Sequence, residues 1–264
     1  FVTGMFRSPS ITFGATTLTN SGGGFPDVFI VKYDANGNVL WAKSAGGTNN
    51  DVGSSVSTDA GGNVFVTGVF NLTITFGTTT LTNAVGGGVF IAKYDAAGTV
   101  LWATNPAGLA TGASISADAG GNVFITGWLI GPTLTFGSIT LTNSSSGING
   151  DVFIAKYDVN GTVLWAKSAV GTSNDGGYSV SADAGGNVFV TGVFRSAVIA
   201  FGATLLISSG NFDVFIAKYD GSNGNVLWAK KAGGTDWDEG YSVSADAGGN
   251  VFVTGYFKSS SITL

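Results

Sequence analysis

An all-β chain built from repeated four-stranded antiparallel meanders is what this sequence predicts, and three observations carry that expectation. Glycine (43 of 264 residues), Thr, Ser, Val and Phe are abundant while helix formers are thin, with Glu239 the only glutamate. That is a vocabulary of strands and turns. The phrase F(V/I)TG returns with its Phe at Phe1, Phe65, Phe124, Phe189 and Phe252, spacings of 64, 59, 65 and 63 residues. A period of about 63 residues holds a supersecondary unit of several strands. Within each period, alternating apolar runs are separated by Gly-Gly and Asn-Gly turns, the signature of hairpins.

The elements follow in order. The first strand of a unit is short and made of small residues, as in 178–183 (YSVSAD). An AGG turn leads to the second strand, 187–194 (NVFVTGVF), which alternates apolar with small polar residues. An insert comes next, at 73–84 (TITFGTTTLTNA), with copies at 10–20, 133–143 and 198–208; its alternation around Phe-Gly predicts an extra small hairpin. The third and fourth strands are 151–157 (DVFIAKY) and 163–168 (VLWAKS), joined by 158–162 (DVNGT), whose Asn-Gly supplies the positive φ of a hairpin turn. Units start near residues 1, 55, 114, 179 and 242, giving four full periods plus an overlapping partial unit, because 1–13 and 252–264 are the same part of the repeat.

A lone meander leaves apolar faces uncovered, so meanders in series must stack. Radial stacking gives a β-propeller, which protects strand edges and puts the small first strand near the crowded axis. A solenoid of parallel coils is the competing repeat architecture, but its coils are shorter and lack hairpin turns. The expectation is one propeller domain, or a segment of a larger one, over 1–264. The C-terminal strands one and two either complete a blade with the N-terminal strands three and four, or leave open edges that pair with other chains.

Composition excludes several functions. Eleven Lys and Arg face 16 Asp and Glu, for a net charge of −5 with no basic cluster, so nucleic acid is not an expected partner. No apolar run approaches the ~18–20 residues of a membrane span. The chain opens on FVTG with no charged-then-apolar leader, which reads as the middle of a longer soluble protein. Cysteine and histidine are absent, removing Ser–His–Asp and Cys–His catalysis and His-ligated zinc. No cofactor is expected.

The phrases DVFIAKYD, GGTNNDVGSSVSTDAGGNVFVTG and GGTDWDEGYSVSADAGGNVFVTG resemble the SBBP repeat family, named for seven-bladed β-propellers, across essentially the whole chain. The resemblance implies a propeller fold, a secreted or cell-surface bacterial protein, and no shared catalytic motif. A weaker similarity links Asp220, Gly224 and Trp228, and with one residue fewer Asp34, Gly37 and Trp41, to the Asp-Gly-Trp blade-docking pattern of quinoprotein propellers.

Four groups of residues are candidates for function or for docking. Trp41, Trp102, Trp165 and Trp228 hold one position in every unit. A Trp buried between blades removes about 150–250 Å² from water, a gross ~4–6 kcal/mol, so blade docking is their expected role; sugar platforms are the alternative. The turns DANGN (34–38) and DAGGN (59–63) echo a calcium loop, but each offers one carboxylate where calcium needs six to eight oxygens, and an Asx turn explains them. The loops after strand four carry T-x-x-D: Thr48 and Asp51, Thr172 and Asp175, Thr235 and Asp238; unit two has LATG instead. Loop-fixing hydrogen bonds are the plain reading of that Asp, and a ligand contact at Asp51 and Asp175 is the functional one. The last loop is richest: Asp236, Trp237, Asp238 and Glu239 form a candidate sugar or cation contact and the basis of a carbohydrate-active alternative. Lys32, Lys93, Lys156 and Lys218 on strand three read as rim residues with wet charges.

The expected function is a non-catalytic, extracellular or cell-surface module that binds a protein or glycan. The alternative is a carbohydrate-binding or carbohydrate-active propeller using the loop-rich face around Asp236–Glu239.

Overall fold

The computed structural model describes residues 1–145, 149–246 and 248–263. The overlap 252–264 is therefore described without Leu264, and the last DAGGN turn without Ala247. Every regular element is a strand. Unit one comprises β1 (Val2–Phe6), β2 (Ser10–Phe13), β3 (Thr16–Thr19), β4 (Asp27–Tyr33) and β5 (Val39–Ala45); unit two comprises β6 (Asp51–Thr58), β7 (Val64–Phe76), β8 (Thr79–Tyr94) and β9 (Val100–Thr104). Unit three holds β10 (Ala107–Ala117), β11 (Val123–Phe136), β12 (Ile139–Thr142), β13 (Asp151–Tyr157) and β14 (Val163–Ala169). Unit four holds β15 (Asp175–Ala182), β16 (Val188–Phe194), β17 (Val198–Phe201), β18 (Thr204–Ile207), β19 (Asp213–Tyr219) and β20 (Val226–Ala232), and β21 (Asp238–Ala245) and β22 (Val251–Phe257) follow.

The meanders form as the turn chemistry requires. Sheet orders β6-β7-β8-β9, β10-β11-β13-β14 and β15-β16-β19-β20 are antiparallel and sequential, and unit one lacks only a first strand, with order β1-β4-β5. The insert is the extra hairpin expected: β2 pairs β3 and β17 pairs β18 as separate ribbons, β12 pairs the far end of β11, and in unit two β7 and β8 run straight into it. First strands start earlier than the small-residue motif suggested, β6, β15 and β21 at the Asp of the T-x-x-D loop and β10 at Ala107. Completion of a blade by the two ends is not seen among the described residues. The C-terminal hairpin β21–β22 is a two-stranded sheet of its own, and β4 pairs only with β1 and β5.

Successive sheets stack face to face, and three hydrophobic cores each lie between two of them, while a fourth, around Phe6, Leu18, Val31 and Ala42, belongs to unit one alone. Val28, Ile30 and Ala45 of unit one meet Val64, Phe70 and Phe90 of unit two; Val89 and Ile91 meet Ile125 and Phe153; Ile154 and Trp165 meet Val190 and Phe215. The first strands pack against one another in series. Serine makes that contact polar. The Ile115 and Ala117 amides donate to Ser55 and Ser57 Oγ at 3.3 and 3.0 Å, those of Val180 and Ala182 to Ser114 and Ser116 at 3.2 and 3.1 Å, and those of Val243 and Ala245 to Ser179 and Ser181 at 3.1 Å. Every second residue of the SVSAD motif is thus a hydroxyl because the next first strand needs an acceptor there.

Candidate functional site

The seams between units gather most of the repeated polar residues, and they divide into a turn-side end and a loop-side end. At the turn-side end the strand-four Trp of one unit lies on the strand three to four turn of the next. Trp41 Nε1 donates to Ala96 O at 3.1 Å, Trp102 to Val159 O at 3.0 Å and Trp165 to Gly221 O at 3.1 Å. The facing turn residue is Gly98, Gly161 or Gly224, each at positive φ, and a Cβ there would press on the indole. One glycine thus answers both the turn and the close approach. Trp228 has no such carbonyl among the described residues and rests on Phe189, ring centroids 6.0 Å apart.

The strand-three lysines join this contact rather than standing wet at a rim. Lys32, Lys93 and Lys156 donate to the same carbonyls as the Trp indoles, at 3.1, 3.2 and 2.8 Å. Lys93 and Lys156 are buried, each Nζ about 5 Å above the ring of Phe65 or Phe124. The next turn supplies acceptors that a lone sheet lacks, which is why sequence reasoning left the charge in water. The turn carboxylates are likewise occupied: hydrogen bonds from the Asn38 and Asn250 side chains, ahead of other donors, hold Asp34 and Asp246 below the ordinary carboxylate range.

At the loop-side end three seams share a buried arrangement of two carboxylates. The first residue of strand three (Asp27, Asp151, Asp213) meets the first residue of the next unit's strand one (Asp51, Asp175, Asp238), whose amide donates to the carbonyl just before the strand-three Asp at 2.8–2.9 Å. A serine two residues past the next strand two completes the group. Ser196 donates from N to Asp175 Oδ1 at 3.0 Å and from Oγ to Asp175 Oδ2 at 2.5 Å, while its Oγ accepts the Thr172 and Ser173 amides. Ser259 caps Asp238 in the same way, its Oγ also accepting the Asp236 amide. The second seam has lost all three positions together, to Gly88, Ala110 and Gly131. Asn83 fills the space there, bonding Gly86 O and Gly108 O at 2.8 and 3.0 Å.

Asp51 and Asp175 therefore sit within seams, not on a surface. Burial, reinforced by the Asp27 charge and opposed by the Gly47 and Asn71 amides, pushes the Asp51 carboxyl up to about 7. Burial likewise takes Asp175 up to about 6 against the pull of Ser196 and the Arg195 amide.

The Asp236–Glu239 stretch is split by strand alternation. Asp238 is fully buried; Glu239, next along β21, stands opposite Tyr256 in the ladder, and its carboxylate raises the pKa of the Tyr241 hydroxyl above its ordinary range. Asp236 pairs with Lys258 at 3.3 Å, and Trp237, 44% exposed, packs on Phe212 with centroids 4.7 Å apart. Asp238 and Glu239 both border a cavity floored by Val214, Ala232 and Val253. What reaches solvent is an aromatic pair beside an ion pair.

The strand-three aspartates Asp27, Asp151 and Asp213 and the serines Ser196 and Ser259 were missed in the sequence. Their signal was there: the second seam changes all three positions at once, to Gly88, Ala110 and Gly131.

Serially stacked four-stranded antiparallel sheets with polar seams define the class of this protein. No family model matches the chain. It is 30% identical over 269 residues to the uncharacterized WD repeat-containing protein L264 of Acanthamoeba polyphaga mimivirus, a match covering 84% of this chain and 19% of that protein. It is 29% identical over 130 residues to the regulatory protein FlaEY of Caulobacter vibrioides, covering 46% of this chain and 14% of that one. The chain thus has a distant WD-repeat relative and spans less than a fifth of either protein. Among solved structures it is similar to BamB from Moraxella catarrhalis (12% identity, 98% of this chain, 90% of that one, TM-score 0.29) and to a protein of unknown function from Bacteroides caccae (12%, 80% and 92%, TM-score 0.26).

Proposed function

We propose that the stacked sheets are blades of a β-propeller of the SBBP-repeat kind, serving as a non-catalytic structural or binding module of a secreted or cell-surface bacterial protein. The observation that supports this reading is how the repeated side chains are used. The Trp, Lys and turn Gly that recur in every unit are engaged with the next unit wherever one follows, and the buried Asp pairs close seams. The loops after strand four and the segments between the insert and strand three differ between copies, and in propellers variable loops on a rigid scaffold are where partners bind. A protein or glycan at the cell surface is the partner of this reading; nucleic acid is not. The unpaired edges of β1 and β22 leave room for further strands, from a longer chain or from a second copy.

Within this reading the exposed Trp237–Phe212 pair beside Asp236 and Lys258 favours glycan over protein, since a sugar stacks on an aromatic face while its hydroxyls bond a charged pair. The test has two arms. Trp237 fluorescence is titrated with a broad glycan panel, and Trp237→Ala should abolish any saturable change. Turnover of the same glycans is assayed with the wild-type chain and with Asp236→Ala/Glu239→Ala. Hydrolysis that the double variant loses would overturn the non-catalytic reading and install the carbohydrate-active one.

A further inference from the structure

We propose that the seam between units one and two is a calcium site of low affinity, formed by Asp27 and Asp51 on either side of the Gly46–Gly47 dipeptide. Both carboxylates are buried, Asp27 at 1% and Asp51 at 0% exposure, and in each Oδ1 has no hydrogen-bond partner. Buried carboxylate oxygens are seldom left in that state, because the uncompensated charge is costly.

The other seams show what is missing. In the seam of units three and four, Asp151 Oδ1 accepts from Ser145 Oγ at 3.2 Å and the Gly171 amide at 3.4 Å, and Asp175 Oδ1 accepts from the Arg195 and Ser196 amides at 2.8 and 3.0 Å. No oxygen of that pair is orphaned. In the last seam Gly210 stands in the place of Ser145 while Ser259 is kept, and there only Asp213 Oδ1 is unpartnered. The first seam has lost both serines, to Gly22 and Leu72, and both Oδ1 atoms are unpartnered. The lost Ser145 hydroxyl leaves the strand-three Oδ1 without a donor at Asp213 and Asp27. Asp51 Oδ1 lacks the backbone amides that reach Oδ1 of Asp175 and Asp238, whose serine hydroxyl goes to Oδ2.

Leu72 also carries the only positive φ outside glycine among the described residues, 63°, and the neighbouring Asn71 amide goes to Asn50 O at 3.1 Å. At Asp175 the Arg195 and Ser196 amides reach Oδ1, and at Asp238 the Lys258 and Ser259 amides do, whereas no amide completes a hydrogen bond to Asp51 Oδ1. The remaining donors bind only the far oxygens: Ser21 N and Oγ donate to Asp27 Oδ2 at 2.6 and 2.8 Å, and Gly47 N to Asp51 Oδ2 at 2.8 Å. Both carboxylates bear on the glycine pair, since a Cβ on Gly46 would fall on the Asp27 carboxylate.

Two anionic oxygens short of donors, in a seam offering oxygen and no nitrogen or sulfur ligand, suit a hard divalent ion. Calcium fits better than magnesium, which demands near-ideal octahedral geometry. Among the described residues no third Asp, Glu, His or Cys joins the pair, so backbone and water oxygens must complete the shell. Few charged ligands place the affinity near that of extracellular modules, with Kd of about 10⁻⁴–10⁻³ M.

The test is thermal unfolding of the full chain in EDTA and in rising CaCl2, with calorimetric titration of calcium into the chelator-treated protein. A rise in Tm of about 3–6 °C at about tenfold excess over Kd is expected, together with near one-to-one binding. Asp51→Asn should lose the response. Leu72→Ser, which restores the residue that caps Asp175 and Asp238, should lose most of it while keeping the fold, so it decides the matter where Asp51→Asn fails to fold. No shift in the wild type, an equal shift with magnesium or with NaCl of matched ionic strength, or a calcium shift that both variants retain would each overturn the proposal.

Discussion

Replacing Trp165 by Ala and, separately, Trp228 by Ala compares one residue in two settings that differ chiefly in whether a further unit lies against it. Trp165 is 5% exposed, donates to Gly221 O across the seam and is overlaid by Gly224. Burial of a Trp is worth a gross ~4–6 kcal/mol at about 25 cal/mol per Å². Relaxation around the truncated site brings the measured cost of Trp→Ala to about 3–5 kcal/mol, and that range already contains the roughly 1 kcal/mol of the lost hydrogen bond. Trp228 is half-buried and keeps its contact with Phe189, but among the described residues nothing receives its indole N–H. Its truncation should cost about 1–2 kcal/mol. The assay is urea unfolding followed by far-UV circular dichroism, with m-values compared because stacked units can lose two-state behaviour. At about 2–4 °C per kcal/mol for a chain of this size, Trp165→Ala should also lower Tm by roughly 6–20 °C. Equal losses for the two variants would show that the indole serves its own sheet, and the docking argument would fail.

Asp175 makes the chain sensitive to pH in a particular direction. Its folded pKa of about 6 lies above the unfolded value near 3.8, so the stabilisation is complete below about pH 4 and is lost as pH rises to about 6. Two units correspond to at most about 3 kcal/mol, and the difference in stability between wild type and Asp175→Asn across pH 4–7 should carry that slope; a flat difference would refute it. Leu72→Asn should raise stability by roughly 0.5–1 kcal/mol, because Asn tolerates the left-handed region and Leu72 is already 48% exposed; a loss in chemical denaturation would mean that its exposed side chain packs more than it strains. Ser116→Ala should cost about 1–2 kcal/mol by orphaning the Ala182 amide, and native-state hydrogen exchange should accelerate at Ala182 before it does elsewhere in β15.

The strands, their hairpins and the insert were legible because each depends on residues close in sequence. Asn-Gly and Gly-Gly turns, period-two alternation and the Phe-Gly kink all act within a dozen residues. What the sequence hid lies between units. Lys93 reads as a surface residue until the Val159 carbonyl, 66 positions on, covers it. Asp27 reads as a strand's polar first residue until Asp51 closes over it. Trp165 was legible because a Trp recurs at that position in every unit, as an inter-unit contact must.

The four seams argue that the two aspartates and the serine form one unit of structure that is costly to break in part. Removing all three, as at Gly88, Ala110 and Gly131, leaves no buried charge, and Asn83 closes the gap with neutral hydrogen bonds. Keeping all three, as at Asp151, Asp175 and Ser196, leaves every carboxylate oxygen with a donor. The first seam keeps both charges and neither second donor, the arrangement that general energetics disfavour most, since an unpaired buried charge costs more than an apolar substitute. Burial already draws a proton toward Asp51, whose carboxyl is pushed up to about 7; above that pH either the seam is a weak point at which units one and two separate first, or a cation supplies the missing positive partner. Hydrogen exchange with and without calcium separates the two cases: protection at β6 that rises only with calcium identifies the partner, and protection that stays low in both marks the seam as the place where the stack opens.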